Sequence, residues 1–453
     1  MISSVFIANR GEIAVRIARA ARDLGVRVVA GCSTADLGSG VSVLADRVVH
    51  IGPAPSRRSY LDAAVTIQAA LLSGAEAVHP GYGFLSEDAD FAEACAAEGL
   101  IFIGPPPEVM RRLGDKSTAR AAMTAAGLPL LPGAVEPVRD IETARCVAEE
   151  VGYPLIIKAV AGGGGRGMRI VTEESDLVPA FEETTATARV LFNDGRVYLE
   201  RYLAGARHVE VQVLADAYGN CVHLGERDCS VQRRHQKLIE ESPAPRLPEG
   251  LARRIREAAV RGALATGYVG AGTFEFLVGE DGEFYFMEVN CRIQVEHPVS
   301  EMVTGVDLVQ EQFRIASGER LRCKQSDVEL RGVAIECRIN AEDPARGFLP
   351  TPGLVEEFVP PGGAFVRVDT HARSGYRIPP DYDSLLAKVI VWAPDRSSAI
   401  TRMRNALTEL RVRGKGVHTT AAYLDAVLAD PRFAGATHHT RLLDDFDVPV
   451  AVA

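Results

Sequence analysis

Two glutamates, Glu275 and Glu288, flank Asp281-Gly282 in the stretch GTFEFLVGEDGEFYFMEVN, residues 272–290. Runs rich in aromatic and branched residues on either side of Asp-Gly predict a β-hairpin. With those two residues as the turn, Glu280 pairs with Glu283, and Glu275 falls directly opposite Glu288. Like charges opposed at about 4.5–5.5 Å destabilise a sheet, so the pair asks for a cation. Alternation assigns Phe274, Phe276, Val278, Tyr285, Met287 and Val289 to the other, apolar face. Beyond Glu288, Asn290, Arg292, Gln294 and Glu296 alternate with Val289, Cys291, Ile293 and Val295. An extended segment would then present acid, amide, cation, amide and acid on one face. Two glutamates on a solvated face are the plain alternative, but the ordered row favours a metal. Opposed carboxylates and an amide oxygen are hard ligands suited to Mg²⁺, which completes its shell with substrate phosphates.

A phosphate-seeking metal calls for a phosphate cradle, and AGGGGRGM (residues 161–168) directly follows the strand-like LIIKAV. Consecutive glycines let the backbone approach a ligand, and successive N–H groups form an anion nest. Lys158 precedes the glycines and Arg166 follows them, while no Gly-Lys-Ser/Thr closes the run as in a Walker loop. The pattern reads as a lid over a triphosphate, with Lys116 of Asp115-Lys116 as a further cation.

The elements that must position these residues are legible in outline. SVFIANR reads as a buried strand, IAVRIARAARDLG as a helix ending at Gly25, and VRVVAGCS as a second strand. This alternation predicts a doubly wound parallel sheet, although the first strand runs into NRGEIA and not G-x-G-x-x-G. Pro105–Pro107 mark a boundary, and one helical stretch is expected from about Glu108 to Ala126. A small unit at 151–205, a strand-rich region at 206–246 and the helix LARRIREAAVRGALATG lead into the hairpin. Beyond residue 330, strands such as GVAIECRIN and AKVIVWA suggest an α+β tail. The 453 residues carry a net charge of −10, which argues against a general nucleic-acid binder. Eight scattered cysteines without C-x-x-C spacing fit reduced thiols. Neither a signal peptide nor a membrane span is readable, so a cytoplasmic location is expected.

With lid, carboxylates and cationic row in place, the sequence resembles the biotin carboxylases, the ATP-grasp component of acetyl-, propionyl- and pyruvate-type carboxylases. The matching stretches include IANRGEIA, HPGYGFLSED, LGDK, GGGGRGM, RHVEVQV, ERDCSVQRRHQKLIEESP, EVNCRIQVEHPVSE, AIECRINAEDP and YDSLLAKVIVWA, in order over about 1–445. The resemblance implies α/β and α+β domains: an N-terminal doubly wound domain at 1–114, an ATP-grasp domain at 115–330 with its lid at about 131–203, and a C-terminal α+β domain at 331–446. It makes Lys116 and Lys158 nucleotide-phosphate lysines and puts Gly164 and Gly165 in the lid. Glu200, Arg201, Tyr202 and Leu203 correspond to an adenine-contacting hinge, with His208, Gln232 and His235 as further nucleotide contacts. Glu275, Glu288 and Asn290 match the ligands of Mg²⁺ or Mn²⁺. Lys237, Arg292, Gln294 and Val295 match the bicarbonate site, Glu296 the base that deprotonates bicarbonate, and Arg338 the group that stabilises the biotin enolate. The implied reaction is ATP- and bicarbonate-dependent carboxylation of biotin, the first half-reaction of an acyl-CoA carboxylase.

The sequence contains no Met-Lys pair, so biotin is expected on a separate carrier protein or domain, with a separate carboxyltransferase; the resemblance also implies a homodimer. Cys291 and Val333 stand where threonine and histidine are usual, Arg201 where lysine is common, and Ala161 where the glycine run usually begins. Another ATP-grasp carboxylate ligase is the leading alternative, distinguished by Lys237, Arg292, Glu296 and Arg338. A non-catalytic nucleotide-binding regulator would lack that acid–base row, and a Rossmann dehydrogenase is least favoured.

Overall fold

The computed structural model describes residues 1–134, 136–160 and 167–446. The first unit is a parallel five-stranded sheet of β1 (Ser4–Ile7), β2 (Arg27–Ser33), β3 (Arg47–Gly52), β4 (Ala77–His79) and β5 (Ile101–Phe102), in the order β3-β2-β1-β4-β5. β1 is buried along its whole length because helices cover both faces. Val5 and Ile7 enter the core beneath the helix Gly11–Asp23, while Phe6 enters the core on the opposite side. The expected helix from Glu108 to Ala126 is two helices, Pro107–Gly114 and Lys116–Ala125. Asp115 breaks the run because its carboxylate caps the second helix through the Thr118 amide.

A small antiparallel sheet, β7-β6-β8, follows, made of β6 (Leu155–Ala159), β7 (Met168–Val171) and β8 (Val197–Arg201). The helices Ile141–Val151 and Leu177–Phe192 pack on it around a core of their own. Eight further strands build one sheet: β9 (Arg207–Ala215), β10 (Cys221–Arg233), β11 (Gln236–Ser242), β12 (Gly270–Val278), β13 (Phe284–Asn290), β14 (Val333–Asn340), β15 (Val366–Thr370) and β16 (Leu385–Ala393). Its order is β13-β12-β9-β10-β11-β14-β16-β15. Strands of the α+β tail therefore continue the central sheet, since β11 pairs antiparallel with β14 from Ile239↔Cys337 to Ser242↔Ala334. No helix among the described residues is long and apolar enough to cross a membrane.

This packing sets a pH dependence. His79, with no exposed surface, is pushed down to about 3 by burial. Its Nδ1 accepts the Gly81 amide at 3.1 Å and so carries no proton. Burial and the nearby Arg10 push His371 down to about 3 as well. An unfolded histidine titrates near about 6.5, so between that value and about 3 the unfolded chain binds more protons and stability rises with pH. The contribution is fully present above 6.5 and is lost as pH falls. At pH 5 each histidine should cost about 2 kcal/mol relative to pH 7. Chemical unfolding of His79→Gln at pH 5, 6 and 7 should give a pH slope shallower by one histidine's share; identical slopes would remove His79 from the account.

Candidate active site

Four neighbouring strands contribute one side chain each to a single row. Glu210 of β9 lies opposite Arg227 of β10 on one side and Glu275 of β12 on the other. Glu275 in turn lies opposite Glu288 of β13. Directly opposed residues share a face, so three carboxylates stand abreast. Arg227 and Glu210 are wholly buried, Glu275 is 3% exposed, and Glu288 opens toward solvent.

The opposition of Glu275 and Glu288 arises by a different route from the one expected. Gly279 donates its amide to Glu283 at 2.8 Å, and the loop consists of Glu280, Asp281 and Gly282. Gly282 takes φ +77, a left-handed conformation that glycine adopts without strain. Val278 therefore pairs with Phe284, one step off a two-residue turn, until an irregularity at Met287 moves the register from Phe276↔Phe286 to Glu275↔Glu288. The two single-residue offsets cancel at the glutamates but not between them. Phe284 and Phe286 are buried in place of the expected Tyr285 and Met287, which are half-buried, because a one-residue slip exchanges faces.

A dense charge network surrounds this row. Lys237 of β11 places Nζ 2.5 Å from Glu210, 3.1 Å from Glu275 and 2.6 Å from Glu296. Burial alone would lower its affinity for a proton, but the three carboxylates raise it well above the ordinary lysine value. Against the cost of burial, Lys237 and His208 hold the Glu275 carboxyl low, and Lys237 and Arg338 hold Glu296 well below the usual range. Burial lifts the Glu210 carboxyl despite Lys237 and Arg227. His208 stands 2.8 Å from Glu275, while its Nδ1 meets the Gln232 amide at 2.6 Å.

Although the chain leaves regular strand after Asn290, the alternate side chains still converge. Asn290 and Gln294 donate to Glu275 at 2.7 and 3.0 Å, and Arg292 donates to Asn290 Oδ1 at 2.8 Å and to Gln294 at 3.0 Å. Arg338 of β14 reaches Glu296 at 2.9 Å and Glu240 at 2.5 Å. Val295 contributes its backbone to the same turn.

A second group faces this one from the small sheet. Lys158 of β6 and Arg120 both stand 2.7 Å from Glu200 of β8, so the Glu200 side chain is held by cations at the sheet end of the expected hinge. Lys116 donates to the Ala159 carbonyl at 3.1 Å and, with its proton affinity lowered by burial, lies within the fields of Glu288, Lys158 and Glu200. Arg201, Tyr202 and Leu203 follow at the outer end of β8, with the Tyr202 amide on Pro154. His235 occupies the two-residue turn between β10 and β11 at φ +65. Gly164 and Gly165, together with Arg166, lie outside the described residues.

Glu210, Arg227, Glu240 and Glu87 belong to the network and were not singled out in the sequence. Glu87 accepts from the Cys291 amide at 2.9 Å and from Arg292 at 2.8 Å. One signal was available: in RHVEVQV, His208, Glu210 and Gln212 alternate with valines, which marks a polar strand face. His208, Glu210 and Glu275 also bring donor atoms within 4.8 Å of one another, a metal-like spacing, but the Lys237 ammonium already stands among them. For a hard cation the better fit is the Glu275–Glu288 edge. It offers two opposed carboxylates beside the Asn290 amide, and the Glu288 side chain makes no hydrogen bond or ion pair among the described residues.

An eight-stranded sheet carrying this row, faced by a small lysine-bearing antiparallel sheet, defines a ligase of the ATP-grasp class. Residues 115–324 match the family described as carbamoyl-phosphate synthase L chain, ATP binding domain. Residues 1–110 and 336–445 match the biotin carboxylase N-terminal and C-terminal domains. The chain belongs to the biotin carboxylase family. It is 56% identical over 420 residues to the biotin carboxylase of Pseudomonas aeruginosa, covering 92% of this chain and 93% of that one. It is 49% identical over 449 residues to biotin carboxylase 1 of Bacillus subtilis, covering 99% of each. Among solved structures it is similar to the Campylobacter jejuni biotin carboxylase–β,γ-ATP complex, with TM-score 0.95, 46% identity and coverage of 98% and 99%. It is also similar to the biotin carboxylase domain dimer of Hydrogenobacter thermophilus 2-oxoglutarate carboxylase with MgADP, ADP and bicarbonate, with TM-score 0.94, 45% identity and 98% of each chain covered.

Proposed function

We propose that this chain carboxylates biotin with bicarbonate at the expense of ATP, giving N-carboxybiotin, ADP and phosphate. The observation that carries the reading is the convergence of Lys237, Arg292, Glu296 and Arg338 beside the Glu275–Glu288 edge. Lys116 and Lys158 bind the phosphates. Glu200 through Leu203, with His208, Gln232 and His235, line the rest of the nucleotide site. Glu275, Glu288 and Asn290 would hold Mg²⁺ or Mn²⁺, which when bound neutralises phosphate charge.

Bicarbonate is a poor nucleophile until it is positioned and deprotonated. Lys237, Arg292, Gln294 and the Val295 backbone orient it. Glu296, ionised at neutral pH, takes its proton. Lys237 is shared among three carboxylates, so an arriving anion competes for its ammonium, and loosening that pair raises the proton affinity of Glu296. The bicarbonate oxygen bonds to the γ-phosphorus as the bridging P–O bond breaks, releasing ADP and forming carboxyphosphate. Carboxyphosphate yields CO₂ and phosphate. Phosphate removes the ureido proton of biotin, the Arg338 guanidinium stabilises the enolate oxygen, and the nitrogen bonds to CO₂.

The reading includes biotin on a separate carrier protein or domain, a separate carboxyltransferase, a homodimer and a cytoplasmic location. It divides the chain into units at 1–114, 115–330 and 331–446. ATP hydrolysis should require bicarbonate and rise with free biotin, measured as phosphate release. Turnover indifferent to bicarbonate would transfer the site to another carboxylate ligase.

A further inference from the structure

Three motifs without assigned chemistry, NRGE, PGYG and LAKV, meet beneath the turn Gln294-Val295-Glu296. Lys388 of β16 has no exposed surface. Its Nζ donates to the Val295 carbonyl at 2.7 Å and stands 3.1 Å from Glu12, on the helix Gly11–Asp23. Glu12 also accepts the hydroxyl of Tyr82. Burying an ammonium is costly unless it is paired and hydrogen-bonded, and simple packing needs no charge there. The neighbouring carbonyl is pinned as well, since Gln294 O lies 2.8 Å from His297 Nδ1. Holding the Val295 carbonyl orients the planar peptide that leads into Glu296. On either side, Gln294 reaches Glu275 and Glu296 reaches Lys237 and Arg338.

We infer that Lys388 is a positioning residue for the bicarbonate step: through the Val295 carbonyl it sets where the Glu296 carboxylate and the Arg292–Gln294 row stand. It touches no substrate. The tail strand and, through Glu12 and Tyr82, the N-terminal unit thereby reach the reacting groups. A displacement of about 1 Å in such a row costs up to about a hundredfold in rate. This inference rests on the bicarbonate role proposed for Glu296 and Arg292.

The test compares Lys388→Met, Lys388→Arg and Glu12→Gln with the unsubstituted chain, measuring KM for bicarbonate, KM for MgATP, kcat and thermal midpoint. Lys388→Met should raise the bicarbonate KM about tenfold and lower kcat at least about tenfold, with the MgATP KM within about twofold. Lys388→Arg keeps the charge but presents a planar head; it should recover part of kcat and still raise the bicarbonate KM about threefold. Should Lys388→Met fail to fold, Lys388→Arg carries the decision. Glu12→Gln retains an oxygen acceptor and should lose less than Lys388→Met. A bicarbonate KM unmoved in a folded Lys388 variant overturns the inference, as does an equal loss in Glu12→Gln, which would assign the effect to the ion pair. If the unsubstituted chain hydrolyses ATP without regard to bicarbonate, the functional reading itself falls. A bicarbonate-dependent parent with an unmoved Lys388 variant removes this inference alone.

Discussion

Replacing Glu296 by Gln is expected to lower bicarbonate-dependent turnover by about 10²–10⁴-fold while nucleotide affinity stays within about twofold. The amide matches the carboxylate in size but carries one oxygen in place of two, so it accepts from only one of Lys237 and Arg338, which stand 2.6 Å from Oε1 and 2.9 Å from Oε2 of Glu296. What it lacks is a proton-accepting charge. Lys237 keeps two carboxylate partners, Glu210 and Glu275, so the variant need not leave a buried ammonium stranded. Calorimetric titration with MgATP separates binding from chemistry, and single-turnover phosphate release measures the chemical step. Full turnover would remove Glu296 as the base and leave the row as an anion clamp only.

Arg338→Gln should lower biotin carboxylation by about 10²–10³-fold, equivalent to roughly 3–4 kcal/mol of barrier, as for other donors aimed at a developing oxyanion. Its effect should be uneven. Carboxylation in the presence of biotin should fall at least about tenfold further than bicarbonate-dependent ATP hydrolysis in its absence, because the enolate forms only in the second half of the sequence. Some of the hydrolysis will fall too, since Arg338 also holds Glu296. Its other partner, Glu240, is already pushed up to about 7 by burial in spite of Arg338, so the variant should leave that carboxyl neutral and not as an unpaired charge. Equal losses in the two assays would make Arg338 a holder of Glu296 alone.

The charge pattern around Lys237 also explains why deletion is a poor way to probe it. Truncating Lys237 would leave Glu210, Glu275 and Glu296 facing one another in a buried space, with Arg227 and Arg338 as the remaining cations and His208 beside Glu275. Breaking a buried pair by removing one partner is strongly destabilising. Loss of activity there would mix folding with chemistry, whereas Glu296→Gln and Arg338→Gln both leave Lys237 paired with Glu210 and Glu275.

Much of the site is legible in the sequence. Period-two alternation shows which residues share a strand face, so the row from Glu288 through Asn290, Arg292 and Gln294 to Glu296 could be read off locally. The opposition of Glu275 and Glu288 followed from Asp-Gly between two apolar runs, although the actual turn is one residue longer and a bulge at Met287 restores the register. Side-chain faces between turn and bulge were misread for the same reason: a single extra residue exchanges the faces, and no sequence signal marked where it falls. The break at Asp115 was missed because helical periodicity runs through it, while its capping bond depends on one side-chain rotamer.

Sequence alone determined the kinds of groups available and their order along each strand, because strand geometry is local. Tertiary structure decided which distant strands lie side by side, and with that which charges are compensated. Glu210 joins the row only because β9 lies between β10 and β12. Arg227 meets it from β10, and Lys388 reaches Val295 from a strand near the far edge of the sheet. A buried charge is stable only beside its partner, and that partner is set by register and topology over long separations, which no local pattern of residues encodes.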